Sequence, residues 1–197
     1  WMAFYCQNML EMALILTEYD PIYEEVAFKF IQHFMWISYA MDRIGECHDE
    51  MWDERDGFFY DVLRLPDGSA RRLEVRSMVG LLPLAAVAIF AEDILERLPT
   101  FRAFARTFLT RHPELAMNAH MPATPGAGGR RMLSIVNEAK LRRILSRMLD
   151  EAEFLSPYGI RALSRHHREH PFVFHHGGQE FRVDYVPGDS DSGMFGG

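Results

Sequence analysis

Two consecutive segments with different hydrophobic patterns constrain most strongly how this chain can fold. Residues 1–17 carry apolar side chains on nearly every face of a helical wheel, which is typical of a helix buried on all sides. Residues 22–47 carry a single apolar stripe, which predicts a helix with one solvated face. Asp20 and Pro21 suit the N-cap and the first position of this second helix. A buried helix followed by a one-sided helix indicates an inner and an outer layer of helices.

This alternation continues along the chain, as a toroid of helical hairpins would produce. Residues 78–90 predict a second helix that is apolar all round, with Ser77 as its cap. The other predicted helices are shorter or one-sided, and they cover residues 91–98, 101–109 and 137–152.

Extended and irregular structure is predicted between and after these helices. Residues 52–77 alternate in a two-residue period and predict a β-hairpin inserted between helices. Residues 113–129 are rich in proline and glycine and predict a loop, and residues 166–178 predict irregular structure. Residues 179–186 alternate again and predict a short C-terminal strand. We therefore expect a mainly α fold with an inserted hairpin and one late strand.

The segment Met51–Asp61 gathers acids, one glycine and four aromatic residues into eleven positions. Aromatic rings beside carboxylates suit a site that stacks on the face of a sugar and hydrogen-bonds its hydroxyls. The same composition also suits a strand that enters a tight turn over a hydrophobic core. The pattern leaves both interpretations open.

Composition limits the classes of partner. The 197 residues are 48% hydrophobic, which is enough for one sizeable core or for part of a larger one. A net charge of −7 repels phosphate backbones, so we expect no nucleic-acid partner. The longest apolar run, residues 78–91, is too short to cross a membrane and contains Pro83. Cys6 and Cys47 do not form a disulfide framework, which favours a reducing, cytoplasmic location.

Both ends of the sequence lie within strong patterns. Trp1 begins inside an apolar helical pattern, and residues 193–197 end in a glycine-rich loop. Domains usually start and stop in exposed linkers. We therefore expect residues 1–197 to form a single partial domain, an internal segment of a larger protein whose remaining chain is its partner.

No metal or cofactor site is predicted. The acids of Asp49–Asp56 resemble a calcium loop, but Trp52 occupies the position of the first ligand. His166 and His170 lie one helical turn apart but lack the remaining ligand pattern, so a solvent-facing loop is favoured. Residues 125–129 resemble a phosphate loop in composition only, because the lysine followed by serine or threonine is missing.

A pair of carboxylates could in principle cleave a glycosidic bond. Asp53 and Asp61 are the nearest candidates. Both belong to one local hairpin, whereas catalytic pairs usually come from opposite walls of a pocket. We therefore do not assign them a catalytic role.

Four segments together resemble glycoside hydrolase family 63, and more narrowly its large bacterial glucosidase-like members related to mannosyl-oligosaccharide glucosidases. They are W-D-E-R-D-G-F-F-Y-D, V-R-S-M-V-G-L-L-P-L, E-F-L-S-P-Y-G-I-R-A-L-S and D-S-G-M-F-G-G. The resemblance implies an (α/α)6 toroid that hydrolyses α-linked glucosides or mannosides with inversion. It also implies a pocket at the mouth of the toroid, formed by the loops that lead into the inner helices.

The resemblance places the catalytic acid upstream of Trp1 and the base downstream of Gly197, so neither is assigned to this chain. The segment is then expected to supply pocket wall to a glycosidase and to be inactive alone. Trp52, Phe59 and Tyr60 would stack on sugar or pack the hairpin, and Asp61 and Arg76 would bind hydroxyls or pair across it. Two further substrate-binding candidates at an inner-helix entrance are Tyr158 and Arg161.

Two other functions remain open at this stage. A non-catalytic helical segment used for interaction or assembly would fit the absence of an assigned acid and base. A toroid enzyme of different chemistry, such as an epimerase or a lyase, would fit the same architecture.

Overall fold

The computed structural model describes residues 1–42, 50–91, 93–116 and 126–188. In chain order the α-helices are α1 (Met2–Leu16), α2 (Tyr23–Asp42), α3 (Ile94–Arg97), α4 (Pro99–Arg111), α5 (Pro113–Ala116) and α6 (Glu138–Met148). The 3-10 helices are Met78–Ala85, Ala127–Gly129 and Arg165–Arg168. The strands are β1 (Trp52–Asp53), β2 (Phe58–Phe59), β3 (Asp61–Arg64), β4 (Ala70–Leu73), β5 (Val87–Phe90), β6 (Arg131–Ser134), β7 (Leu155–Ser156), β8 (Gly159–Ile160), β9 (Phe172–His176) and β10 (Gln179–Val183).

The chain divides into two compact units. The first unit combines residues 1–42 with residues 83–137, and the second combines residues 43–82 with residues 138–197. Within the described residues, every β-sheet is a separate antiparallel pair: β1 with β2, β3 with β4, β5 with β6, β7 with β8, and β9 with β10.

The first unit is built on the pair α1 and α2. Their contact buries apolar side chains such as Leu10 of α1 and Phe34 of α2, and the small residues Ala13 and Ala27 are buried with them. The backbone N–H of Ile22 donates to Asp20 Oδ1 at 2.9 Å, which fixes the turn between the two helices. The core of this unit is therefore helical, with the β5–β6 pair and α4 added to it.

A buried carboxylate joins α2 to α4. Glu24 is only 6% exposed, and its Oε2 accepts the backbone N–H of Phe101 at 2.7 Å. That N–H lies in the first turn of α4, where backbone donors have no partner within their own helix. A negative charge is also favourable there because the first turn carries the positive end of the helix dipole. Glu24 thus supplies from another helix the cap that Leu98 cannot provide.

The second unit consists of hairpins packed on α6 and on a short aromatic core. Phe58 of β2 stacks on Phe154, with ring centroids 5.7 Å apart and an interplanar angle of 20°. Ile144 of α6 is fully buried in the same unit. Gly80 lies directly against β2, where a Cβ would overlap the ring of Phe58 and the carbonyl of Phe59. Only glycine allows this close approach of the 3-10 helix to the strand.

The predicted mainly α toroid is wrong. Among the described residues, 47% are helical and 21% lie in strands, so this is a mixed α and β structure with five small sheets. The predicted helix at residues 78–90 is instead a 3-10 helix at Met78–Ala85 followed by β5. Pro83 cannot donate the hydrogen bond that would continue an α-helix. The following residues then pair with β6, a partner far away in sequence.

Helices predicted from local periodicity are confirmed, with α1, α2 and α6 shorter than predicted and α4 longer at both ends. The prediction that the first helix is buried on all sides is wrong, because Met2, Tyr5 and Ile15 are each more than half exposed. Residues 43–47 of the second predicted helix lie outside the described part. The predicted helix at residues 91–98 shrinks to α3, and the predicted loop at residues 113–129 begins with α5, while its residues 117–125 are not described.

The strand predictions are partly confirmed. The predicted hairpin at residues 52–77 is two successive hairpins, β1–β2 and β3–β4. The predicted C-terminal strand ends at Val183 as β10. The irregular structure predicted for residues 166–178 is wrong, because β9 pairs with β10 there.

None of the described helices is both long enough and apolar enough to cross a membrane.

The Glu24 cap generates a test. Replacing Glu24 with Ala leaves the buried N–H of Phe101 without its acceptor, so we expect the free energy of unfolding to fall by about 1–3 kcal/mol. Urea denaturation measures this change. Glu25→Ala is the matched control, because Glu25 lies in the same first turn of α2 but is exposed. Equal losses in the two variants would contradict a capping role.

Candidate functional site

The site begins at the tight turn between β1 and β2. Gly57 has φ 64°, in the left-handed region that favours glycine, and its N–H donates to the carbonyl of Asp53 at 2.8 Å. The N–H of Asp56 donates to Asp53 Oδ1 at 2.6 Å. A Cβ at Gly57 would also overlap the guanidinium of Arg143. The turn therefore requires glycine for its conformation and for the close approach of α6.

Two of the predicted stacking residues face this helix. The rings of Trp52 and Phe59 are buried and lie edge to face with centroids 4.9 Å apart. Lys140 Nζ lies 5.0 Å from the Trp52 centroid, and the Arg143 guanidinium lies 5.5 Å from it. Cations at these distances are attracted to the face of an indole ring. The rings of Trp52 and Phe59 are therefore engaged in packing β1–β2 on α6.

Arg76 lies at the centre of a buried charged network. It is 8% exposed, and its Nη1 donates to Glu153 Oε1 at 2.7 Å while its Nη2 donates to Asp56 Oδ2 at 3.1 Å. Its Nε donates to the hydroxyl of Tyr60 at 3.2 Å, and that hydroxyl donates to Asp56 Oδ2 at 2.7 Å. The guanidinium thus bridges the β1–β2 hairpin and Glu153.

Glu153 is the second node of the network and is also 8% exposed. Its Oε1 accepts Arg147 Nη1 at 2.5 Å, and its Oε2 accepts the hydroxyl of Ser164 at 2.6 Å. Arg147 Nε reaches the carbonyl of Asp56 at 2.6 Å. Two arginines and two carboxylates therefore balance one another, which is the condition under which buried charges are tolerated.

Burial and hydrogen bonding have opposite effects on the pKa of the Asp56 carboxyl. Burial alone would raise its pKa, but the bonds from Tyr60 and Arg76 outweigh burial and lower the pKa to about 2. The pKa of Tyr60 is raised, first by burial and then by its bond to Asp56. Asp56 therefore stays ionised near neutral pH and is unsuited to protonate a leaving group.

His167 joins the network through the backbone of Arg76. Its Nε2 accepts the N–H of Arg76 at 2.8 Å, and its Nδ1 lies 2.9 Å from the carbonyl of His170. This arrangement requires the neutral tautomer that carries the proton on Nδ1. Burial lowers the pKa of His167, with Arg76 adding to the effect against the bond to His170. Burial and then Arg76 also lower the pKa of His166, to about 4.

The turn between β7 and β8 presents the most exposed of the predicted residues. The side chain of Tyr158 is 100% exposed. Its N–H donates to Ser156 Oγ at 3.2 Å, and the same hydroxyl donates to the carbonyl of Gly159 at 2.8 Å. Gly159 has φ 124°, which closes the turn. Arg161 is half-buried and donates to Tyr185 Oη at 3.2 Å and to the carbonyls of Glu151, Glu153 and Leu155.

The predicted residues are therefore brought together only in part. Tyr60 and Arg76 share the network, and Trp52 pairs with Phe59. Asp61 is exposed on β3, and Arg76 pairs with Asp56 and Glu153 rather than with Asp61 across the hairpin.

Several members of the network are not predicted as site residues from the sequence. Asp56 belongs to the acidic segment that resembles a calcium loop, and His167 belongs to the histidine-rich segment, but neither is predicted to be part of a site. No sequence pattern assigns Glu153 or Arg147 to a site. The signal available for Glu153 was its place at the start of the third motif segment. No local pattern marks its pairing with Arg76, which is 77 residues away.

The histidines and acids do not gather into a metal site within the described ranges, where no group of three or more histidine, cysteine or acidic residues could hold a metal. His166 and His170 lie with ring centroids 4.7 Å apart, and His175 Nε2 lies 4.0 Å from Glu180. Asp53 is ion-paired to Arg72 at 2.7 Å. The motif segment at residues 191–197 lies outside the described residues.

Comparison with known proteins yields one curated relative. No protein-family model matches the chain, and no solved structure matches it. Over 209 aligned positions the chain is 43% identical to the uncharacterised protein YMR196W of Saccharomyces cerevisiae. The alignment covers 100% of this chain and 19% of that protein. The chain thus spans about a fifth of the length of the curated relative it matches.

The network predicts a large effect at Arg76. Replacing Arg76 with Met leaves two buried carboxylates without their shared cation, so we expect the free energy of unfolding to fall by about 3–5 kcal/mol in urea denaturation. Arg55→Met is the matched control, because Arg55 pairs with the same Asp56 at 3.4 Å but is exposed. It should cost no more than about 1 kcal/mol.

A second variant tests the same network if R76M does not fold. Glu153→Gln keeps the side-chain shape and should be less destabilising than R76M while still exceeding R55M. An equal unfolding free energy for R55M, E153Q and wild type would contradict a stabilising network.

The imidazoles of His166, which is half-buried, and His167, which is buried, predict a dependence of stability on pH. The pKa values of His166 and His167 lie below the ordinary value near 6.5, so the unfolded chain binds more protons than the folded chain as the pH falls. Their contribution is therefore complete above about pH 6.5 and is lost as the pH drops toward 4. Arg76, Glu153, His170 and Asp184 are the charged or titratable groups that influence His167.

Unfolding free energies at pH 7.5, 5.5 and 4.5 measure this loss. His167→Gln should flatten the decline, whereas His175→Gln, at an exposed position on β9, should leave it unchanged. The pKa of Asp56, about 2, lies below this window and does not contribute to it. A decline of the same slope in H167Q would contradict the assignment.

Proposed function

We propose that this chain is part of a glycosidase acting on α-linked glucosides or mannosides, in which it contributes sugar-contacting wall rather than the reacting acid and base. The observation that carries the proposal is the convergence of motif segments. Arg76, from the second segment, bonds Asp56 and Tyr60 of the first and Glu153 of the third. Residues that carry the family resemblance are thus joined by one buried network.

The same network supports a rigid exposed turn. Glu153 precedes β7, and the N–H of Arg161, just after β8, donates to the carbonyl of Phe154 at 2.8 Å. Tyr158 is thereby presented to solvent on a turn whose base is fixed by buried contacts. Exposed aromatic side chains on rigidly supported loops are suited to binding, since they offer a large apolar face with a polar end.

The carboxylates of the network support a non-catalytic role for this segment. Inverting hydrolysis needs one carboxylic acid that donates a proton and one carboxylate that activates water. Asp56 is held ionised, and Glu153 accepts hydrogen bonds from two arginines and a serine. Neither carboxylate is available to a substrate, so the proposed contribution is binding and shape. The proposal depends on these residues and not on a toroid.

Tyr158 is the residue on which the proposal is tested. In the complete protein, Tyr158→Ala should lower kcat/KM on p-nitrophenyl α-glucoside or α-mannoside by about tenfold, which corresponds to about 1.4 kcal/mol. The change should lie mainly in KM, because a stacking contact binds substrate and transition state alike. Tyr158→Trp keeps an aromatic face and should retain most of the activity.

Tyr19→Ala is the matched control, because Tyr19 is also strongly exposed but lies outside the motif segments. It should leave both kinetic constants unchanged. Equal kinetics for Y158A and wild type would remove Tyr158 from the site. A complete protein that hydrolyses none of these α-glycosides would overturn the glycosidase itself.

One observation favours a second function, in interaction or assembly. The helix α1 and the residue before it leave large apolar side chains exposed: Trp1, Met2, Tyr5, Met12 and Ile15. Apolar patches of this kind often mark contacts with another protein surface. Failure of the α-glycoside assay, together with self-association that Ile15→Glu abolishes, would favour this function.

A further inference from the structure

We propose that the first unit binds a single-chain molecule with a long apolar tail and an anionic head, of the class of a free fatty carboxylate. The site is a cleft of about 980 Å³ between α2 and α4, with residues of α1, α3, β5 and β6 completing its lining. This volume is at the upper end of the range for small-molecule sites, about 300–1,000 Å³. The proposed carbohydrate role concerns the second unit, so the two proposals are independent.

The walls of the cleft are apolar and aromatic. Phe28 of α2 lies 6.5 Å from Phe101 and 6.0 Å from Phe108 of α4, measured between ring centroids, and all three rings line the cleft. Leu10 and other aliphatic side chains continue the lining. Such walls offer the hydroxyls of a sugar few hydrogen-bond partners, whereas every CH₂ group that moves into them from water stabilises the complex through the hydrophobic effect. The chemistry of the walls thus selects a hydrocarbon chain.

The rim of the cleft is cationic, although the chain as a whole carries a net charge of −7. Arginine supplies every charge among the described lining residues, and no acid is present there. Arg102 and Arg106 are exposed and lie four residues apart on α4, so their side chains leave the same face of the helix. Two guanidinium groups on one face can bind one carboxylate through paired hydrogen bonds.

The guanidinium groups of these two arginines make no ion pair elsewhere in the described structure. Neither Arg102 nor Arg106 has an ion-pair partner among the residues that the structure describes. Exposed cations beside an apolar cleft provide charge complementarity for an anionic head, while the tail occupies the phenylalanine walls. The separation of apolar wall and cationic rim is the reason for choosing an amphipathic occupant.

The size of the cleft favours a thin chain over a peptide helix. A helix is about 10 Å wide with its side chains and would fill this volume within about eight residues. Isolated helices shorter than about 12–15 residues are marginal in water. A flexible hydrocarbon tail fills the same space without that folding cost.

The width of the cleft is fixed by the Glu24 cap. Because Glu24 of α2 binds the N–H of Phe101 in α4, the two helices that form the walls are tied together at one end. Phe101, whose N–H makes this bond, has a buried side chain that lines the cleft. A pre-formed cleft needs little reordering on binding, which favours affinity for a small ligand.

The test uses the whole chain and sodium dodecanoate below its micellar concentration, with binding measured by calorimetry. We expect saturable binding with one site, and at least tenfold weaker binding by the double variant R102Q/R106Q. Arg111→Gln is the matched control, since Arg111 lies on α4 and is exposed but does not line the cleft. R111Q should bind dodecanoate as wild type does.

Two further arms identify the chemistry. Ala105→Phe adds bulk to the wall and should weaken dodecanoate binding at least tenfold while urea denaturation shows a folded chain. Dodecyltrimethylammonium, which has the same tail and an opposite charge, should bind at least tenfold more weakly than dodecanoate.

Several results would overturn the proposal. These are absence of dodecanoate binding, equal binding by R102Q/R106Q and R111Q, or equal affinity for the cationic amphiphile. Binding to vesicles that contain phosphatidylglycerol without binding of free dodecanoate would assign the cleft to a membrane surface and would equally overturn it.

Discussion

The second unit depends on the guanidinium of Arg76. Its three nitrogens contact Glu153, Asp56 and Tyr60, and its backbone N–H contacts His167. Removing charged groups from water costs several kcal/mol for each ion, and this cost is offset only when every charge is paired and hydrogen-bonded. Arg76 meets that condition for two carboxylates at once. Two-stranded hairpins are marginally stable alone, and the network fixes residues beside two of them, Asp56 and Tyr60 at β1–β2 and Glu153 before β7–β8.

The buried network separates the residues that hold the fold together from the exposed residues to which we assign the proposed function. The charged side chains that look most reactive in the sequence are committed to one another and hold the backbone. In the proposed function, the exposed turn at Tyr158 contacts the ligand. In the first unit the same division holds: the buried carboxylate of Glu24 positions α4, and the exposed arginines Arg102 and Arg106 of that helix remain at the rim of the cleft. Buried charge supports the scaffold, and exposed side chains are available for recognition.

The sequence predicted features whose causes are local. Helices such as α1 and α6 follow from apolar periodicity, and the turn before Gly57 follows from the residues that form it. The prediction failed at residues 78–90 because an apolar run does not distinguish a buried helix from a buried strand. The structure of that segment depends on Pro83, which lies inside the 3-10 helix, and on β6, which pairs with β5 from a distant part of the sequence. Within the site, Arg76 was found from its motif, but its partner Glu153 was not, because it is 77 residues away.

By itself, the sequence determined that the chain would form helices with strongly apolar faces and a glycine-dependent aromatic hairpin. Local spacing and side-chain chemistry are sufficient for both. Only the tertiary structure decided that the strands of the described residues would pair in five separate sheets and that Trp52 would pack on α6 rather than face solvent. It alone brought Asp56 and Glu153 to one guanidinium and left Tyr158 exposed. The physical reason is that burial and ion pairing depend on groups far apart in the chain, and their free energies exist only after the chain has folded.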